Sequence, residues 1–315
     1  MKLAFALDWT PNTLHAGYFI AEAEGYFKKS QLDVAFVTPE EDHYATTPAK
    51  KLADRKVHIA VAPSESVISF NTLPSAVPLV AIAAVLQKDT SAIVTRSDSG
   101  ITRPAQLDGK TFASYHARFE DDIVRALVKA DGGQGDLVIS NPDKLEMWRT
   151  VAEGTADATW VFLPWEGPKA KREANVTFNA FRLSDYHIPY GFSPLLVTHE
   201  ELIEQEPNLL QAFVRAVERG WRFVADHPSR AAEILCAHIT HPDFQNKEMI
   251  EESLKMLRPA ILDDGGRWGF MEGTRWLSWI EWMIDTEVLK NTAGTPINFG
   301  QIDTSMLYTN DFFKL

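Results

Sequence analysis

The sequence predicts an α/β protein of two lobes with a mostly helical C-terminal segment. Short apolar runs alternate with amphipathic helical stretches through the first 198 residues, the pattern of β-α units around a parallel sheet. At 315 residues, 45% of them hydrophobic and 23% charged, the chain is globular and close to the limit of a single core. The expected division is 1–88 plus 194–315 for the first lobe and 89–193 for the second.

Leu3, Phe5 and Leu7 alternate with smaller residues and predict a first strand, stopped by the breaker cluster Asp8-Trp9-Thr10-Pro11-Asn12. A helix is expected over 15–29, a strand over 31–37, a helix over 47–55 and a strand over 57–62. Ser64 reads as the N-cap of the next helix, and the apolar run from Leu79 to Val85 as a buried strand. The second lobe opens with a strand at 91–95 and another at 112–115. A helix over 120–130 stops at Asp131-Gly132-Gly133, a strand covers 138–140 and a helix 144–153. Strands at 158–162, 177–183 and 194–198 follow, the last returning to the first lobe. Beyond 199 the chain reads as helical, with Trp276, Trp279 and Met283 on one packing face.

A formal net charge of −12 argues against nucleic acid and anionic membrane partners. The single cysteine, Cys236, excludes an internal disulfide framework, and its neighbours Ile234 and Leu235 predict a buried thiol. No signal peptide, membrane-spanning run or membrane insertion is expected, so the chain as given reads as cytoplasmic. A removed leader would instead place it in the periplasm, or outside the cell on a lipid anchor.

Several chemistries lack local support. Leu107-Asp108-Gly109-Lys110-Thr111 has Pro104 where a phosphate loop needs its first Gly, and it precedes a strand. His238 and His241 have no carboxylate-rich ligand set around them, and no metal site or catalytic residue is assigned. A Gly-x-Ser-x-Gly elbow is absent.

Polar and aromatic residues instead gather at expected strand tips: Trp9 and Asn12, then Ser64 and Glu65, then Tyr115 and Arg118. Trp160, Trp165 and Glu166 belong to a later strand and its tip, and Tyr190 lies near the return crossing. A cleft between lobes would collect them. Aromatic faces suit a flat heterocycle, and Glu65 or Glu166 could accept from an exocyclic amine. Arg118 at a helix start could hold a phosphate, or pair with the acids at 120–122.

The run Asp8-Trp9-Thr10-Pro11-Asn12-Thr13 with His15 resembles the opening of thiamine-pyrimidine-precursor (formylaminopyrimidine) binding proteins. These are a branch of the type II periplasmic-binding-protein superfamily. The likeness continues through Glu24-Gly25-Tyr26-Phe27, Asp89-Thr90-Ser91, Trp160-Val161 and Trp165-Glu166-Gly167, and ends at Tyr308-Thr309-Asn310-Asp311-Phe312. It implies two lobes joined by two crossing strands and closing on a small heterocyclic ligand without a cofactor. His15 joins the expected ligand-binding set on this ground. An ABC importer is the implied partner if the chain is exported.

Thiamine-pyrimidine synthases of fungi share the resemblance and imply an alternative: a cytosolic enzyme using pyridoxal phosphate, one of its own histidines and iron. In alignment, Ala62 stands where that family has its pyridoxal-binding lysine, and Ser66 where it has its donor histidine. Its cysteine-rich run is replaced near Gly191-Phe192-Ser193-Pro194-Leu195, and its Gly-rich phosphate loop by Tyr115-His116-Ala117-Arg118-Phe119.

Overall fold

The computed structural model describes residues 2–314. In chain order the first elements are β1 (Lys2–Ala6), α1 (Ala16–Ala23), α2 (Tyr26–Lys29), β2 (Asp33–Val37), α3 (Pro48–Ala53), β3 (Ile59–Ala62), α4 (Ser64–Asn71) and β4 (Leu79–Ala84). Next come β5 (Ser91–Arg96), β6 (Thr111–Ala113), α5 (Glu120–Ala130), β7 (Val138–Ser140), α6 (Trp148–Ala152), β8 (Ala158–Phe162), α7 (Leu163–Glu173) and β9 (Phe178–Phe181). The chain ends with β10 (Leu195–His199), α8 (Glu200–Gln205), α9 (Pro207–Asp226), α10 (Pro228–His238), α11 (Lys247–Ile261) and α12 (Gly273–Asp285).

Two units divide these elements. Unit 1 comprises Met1–Asp89, Gly191–Trp276 and Ile302–Leu315; unit 2 comprises Thr90–Tyr190 and Leu277–Gln301. Residues 277–301 thus pack with unit 2, whereas the sequence boundaries kept 194–315 together. Two contacts fix them there. Trp279 meets Tyr190 edge to face, and the Lys290 carbonyl accepts from Arg118.

The unit 1 sheet has the order β2-β1-β3-β10-β4, and the unit 2 sheet β7-β6-β8-β5-β9. In both, the fourth strand is antiparallel to its two neighbours. Each such strand is the first one laid down after the chain changes unit, at Asp89-Thr90 for β5 and Tyr190-Gly191 for β10. The sheets are therefore mixed, not wholly parallel as helix–strand alternation alone suggests. β3 and β4 are buried along their whole length, as strands covered on both faces must be.

Helix α9 buries Leu210, Phe213, Val214, Val217, Trp221 and Val224, a stripe at helical spacing. It crosses α1 at two glycines. A Cβ on Gly220 would lie 1.9 Å from the Gly17 carbonyl oxygen, and one on Gly17 would lie 2.4 Å from the Trp221 ring. Only bare backbone allows this approach.

Four expectations change. The single helix over 15–29 is two, because Gly25 adopts φ +69 and turns the chain between α1 and α2. The helix over 144–153 shrinks to α6, since Glu146 takes φ 61 before it. Ser64 is the first helical residue of α4, and Pro63 holds the N-cap. Cys236 is half-buried, not enclosed.

Candidate functional site

In unit 1 the parallel strands β1, β2 and β3 end on one edge of the sheet. The antiparallel β10 starts there, with Leu195 opposite both Ala62 and Ala84. Ligands of open α/β sheets bind beyond such carboxyl ends.

The segment after β1 supplies the densest set. His15 has no exposed surface, and its Nε2–H donates to Oδ1 of Asp8 at 2.7 Å. Its Nδ1 is buried without a hydrogen-bond partner, and the ring lies over Tyr18 with centroids 6.1 Å apart. Burial, with the Asp8 charge adding to it, pushes the Tyr18 phenol well above its usual range, so it stays protonated. Trp9 is half-buried, its ring 5.4 Å from that of Tyr44, which follows β2. Asn12 is turned inward as a cap: Oδ1 accepts from the Leu14 amide at 2.7 Å, and Nδ2 donates to the Thr10 carbonyl at 2.9 Å. After β3, the buried Ser64 hydroxyl donates to Oε2 of Glu65 at 3.0 Å. The Ser64 amide is tied to the Phe192 carbonyl beside β10.

In unit 2 the loop from β6 to α5 carries Tyr115 and Arg118. Glu120, 6% exposed, binds this loop from within. Its Oε1 accepts from the Tyr115 amide at 3.1 Å; its Oε2 accepts from the Ala117 amide at 3.2 Å and the Ser114 hydroxyl at 3.1 Å. Burial outweighs these donors and holds the carboxyl at about 7. The Arg118 guanidinium donates to the Lys290 carbonyl at 2.7 Å and lies 4.8 Å from the Phe119 ring centroid. Its burial lowers the guanidinium's pKa.

An aromatic series runs through the same unit. Trp160 of β8 lies 5.6 Å from Tyr190, Tyr190 lies 5.1 Å edge to face from Trp279, and Trp279 stacks on Trp282 at 5.1 Å. Trp160 and Trp282 remain partly exposed. Trp165 and Glu166 lie in the first turn of α7. Trp165 is buried with the Lys169 ammonium 5.8 Å from its ring, and the Glu166 carboxylate accepts from the Phe162 amide at the helix start.

Of the residues expected from sequence, the structure joins Ser64 to Glu65 and Trp160 to Tyr190, and engages Asn12, Trp165 and Glu166 in local capping and packing. It adds Asp8, Tyr44, Glu120, Trp279 and Trp282. Asp8 lay in the opening motif as a breaker. Glu120 looked like a surface partner for Arg118, and only its hydrogen bonds reveal it as buried.

Pyridoxal phosphate does not fit these residues. Its Schiff base needs an available amine. Ala62 ends β3 and Ser66 lies in α4, and neither supplies one. The buried lysines Lys51 and Lys169 are ion-paired with Asp42 at 3.1 Å and Glu146 at 2.7 Å. Among the described residues no group of three or more His, Cys, Asp and Glu side chains is placed to hold a metal ion.

Two five-stranded mixed sheets of one shared plan, linked by chain crossings, define the type II periplasmic-binding-protein fold. The chain belongs to the NMT1/THI5-like family, whose pattern it matches over residues 12–231. It is 26% identical to the formylaminopyrimidine-binding protein of Halalkalibacterium halodurans, over 88% of this chain and 83% of that protein. It is 21% identical to a 4-amino-5-hydroxymethyl-2-methylpyrimidine phosphate synthase of Saccharomyces cerevisiae, over 73% of this chain and 69% of the synthase. Among solved structures, the alkanesulfonate-binding protein SsuA of Xanthomonas axonopodis pv. citri superposes with a TM-score of 0.69 at 11% identity, covering 92% of this chain and 94% of that one. At that identity the likeness concerns the fold alone. No helix among the described residues is long and apolar enough to cross a membrane.

Proposed function

We propose that this chain binds a thiamine-related aminopyrimidine precursor, for its uptake or salvage, and performs no chemistry on it. The observation that carries the reading is the pairing, on the carboxyl edge of unit 1, of an aromatic face with an anchored carboxylate. Trp9 offers the face, and Asp8, fixed by buried His15, offers the acceptor. A pyrimidine stacks on the first and donates an exocyclic N–H to the second. Glu65 is a further acceptor on that edge. The likeness to a formylaminopyrimidine-binding protein along most of the chain supports the same ligand class. An ABC importer is the matching partner where the protein is exported.

The synthase relatives support a second reading, an enzyme, but Ala62 and Ser66 stand at the positions aligned with its lysine and donor histidine. Native mass spectrometry of the purified protein, before and after mild denaturation, separates the two. A released aminopyrimidine with an unmodified protein mass is expected. Bound pyridoxal phosphate, or a protein mass altered at a histidine, would overturn the reading.

A further inference from the structure

We propose that the Glu120 carboxylate occupies, from within the chain, the position at the β6–α5 junction that a ligand phosphate would take, so that this protein selects unphosphorylated ligands. A phosphate at a strand–loop–helix junction is held by successive loop amides, the helix start and a cation. Here three loop amides and the cation are already engaged, and the helix start is lined with acids. The Tyr115 and Ala117 amides donate to Glu120, and the His116 amide between them donates to the Ser114 hydroxyl at 2.9 Å. That hydroxyl lies within hydrogen-bond distance of both Glu120 and Asp121, at 3.1 and 2.7 Å. The first turn of α5 is Glu120-Asp121-Asp122, three carboxyl groups where a phosphate would need positive potential. Arg118, the nearest cation in the loop, reaches the Lys290 carbonyl. Admitting a phosphate would mean expelling a buried carboxyl group and facing its two neighbours. Two loop amides that could bind such an anion are here closed by the chain's own acid.

The identity of the pyrimidine rests on the reading above; the engagement of the donors does not. The test is calorimetric titration with 4-amino-5-hydroxymethyl-2-methylpyrimidine, with its phosphate ester and with inorganic phosphate. The proteins are the wild type, Glu120→Ala and Glu120→Gln. The wild type is expected to prefer the unphosphorylated pyrimidine by about 100-fold, the scale set by an unpaired and repelled anion. Glu120→Ala frees two amides and should narrow that preference about tenfold by gaining affinity for the ester. It should also bind inorganic phosphate that the wild type rejects at about 10 mM, a level that detects even weak sites. Glu120→Gln keeps the shape without the charge and should narrow the preference several-fold, which covers the case in which the alanine variant fails to fold.

Equal wild-type affinity for both pyrimidines, or an unchanged preference and no phosphate binding in a folded variant, would overturn the inference. If no protein binds either pyrimidine while the alanine variant alone binds inorganic phosphate, the aminopyrimidine reading falls and this inference stands.

Discussion

His15 holds Asp8 in place. The imidazole, without exposed surface, donates to the carboxylate at 2.7 Å, and the carboxylate sits at the carboxyl end of β1 beside Trp9. A group on the carboxyl edge of the sheet is thereby oriented by the core beneath it. Replacing Asp8 with Asn keeps the shape and removes the charge. Affinity for a formylaminopyrimidine should fall about tenfold or more, one charge-assisted hydrogen bond's worth. His15→Ala should lose that affinity and also destabilise the fold by roughly 2–4 kcal/mol, since it opens a cavity and releases the carboxylate. Chemical denaturation measures the second effect, calorimetry the first. An Asp8→Asn protein with undiminished affinity would remove Asp8 from the site.

Trp9 is half-buried, its ring 5.4 Å from that of Tyr44. Trp9→Ala should weaken pyrimidine binding about tenfold or more, the scale of one lost aromatic stack. Fluorescence titration through the remaining tryptophans reads the dissociation constant, and an unaltered value would reject the assignment.

The α1–α9 crossing should be intolerant of any side chain. Gly220→Ala would place its Cβ 1.9 Å from the Gly17 carbonyl oxygen, and both partners are backbone. The expected loss is about 3 kcal/mol, at the upper end for overpacking. Gly167→Ala in α7 is the control: its Cβ meets nothing within 4 Å, so helix propensity alone should make it neutral or slightly stabilising. Equal denaturation midpoints for the two variants would contradict the packing.

Glu120 should leave a signature in the pH dependence of stability. Burial raises its carboxyl from 4.5 to about 7, so the folded protein keeps this proton where the unfolded chain has lost it. Its contribution is therefore complete below the unfolded value and disappears as pH rises through the folded one. The scale is roughly 3 kcal/mol across that interval. Relative to Glu120→Gln, which does not titrate there, the wild type should lose stability steadily from mildly acidic to mildly alkaline pH. Parallel curves for the two proteins would contradict the burial.

Local chemistry carries much of this molecule into view from sequence alone. Period-two alternation marked β1, the continuous apolar run Leu79 to Val85 marked β4, and Asp131-Gly132-Gly133 marked the end of α5, because strand burial and helix capping act within a few residues. Features made by distant chain segments stayed hidden. Trp279 reads as a packing residue in either setting, and only the return of 277–301 to unit 2 sets it against Tyr190. Glu120 follows Arg118 by two residues and looks like its surface partner, yet three donors from Ser114, Tyr115 and Ala117 draw it inside. Asn12 and Glu166, expected to face a ligand, satisfy backbone amides at element starts, a competition that spacing alone does not resolve.

Calorimetric titration of the purified protein with a formylaminopyrimidine bears most directly on the proposed function. The expected result is saturable binding of one ligand per chain at micromolar concentration or below, the range of a committed binding site. A correctly folded protein that shows no heat of binding up to about millimolar ligand would contradict it.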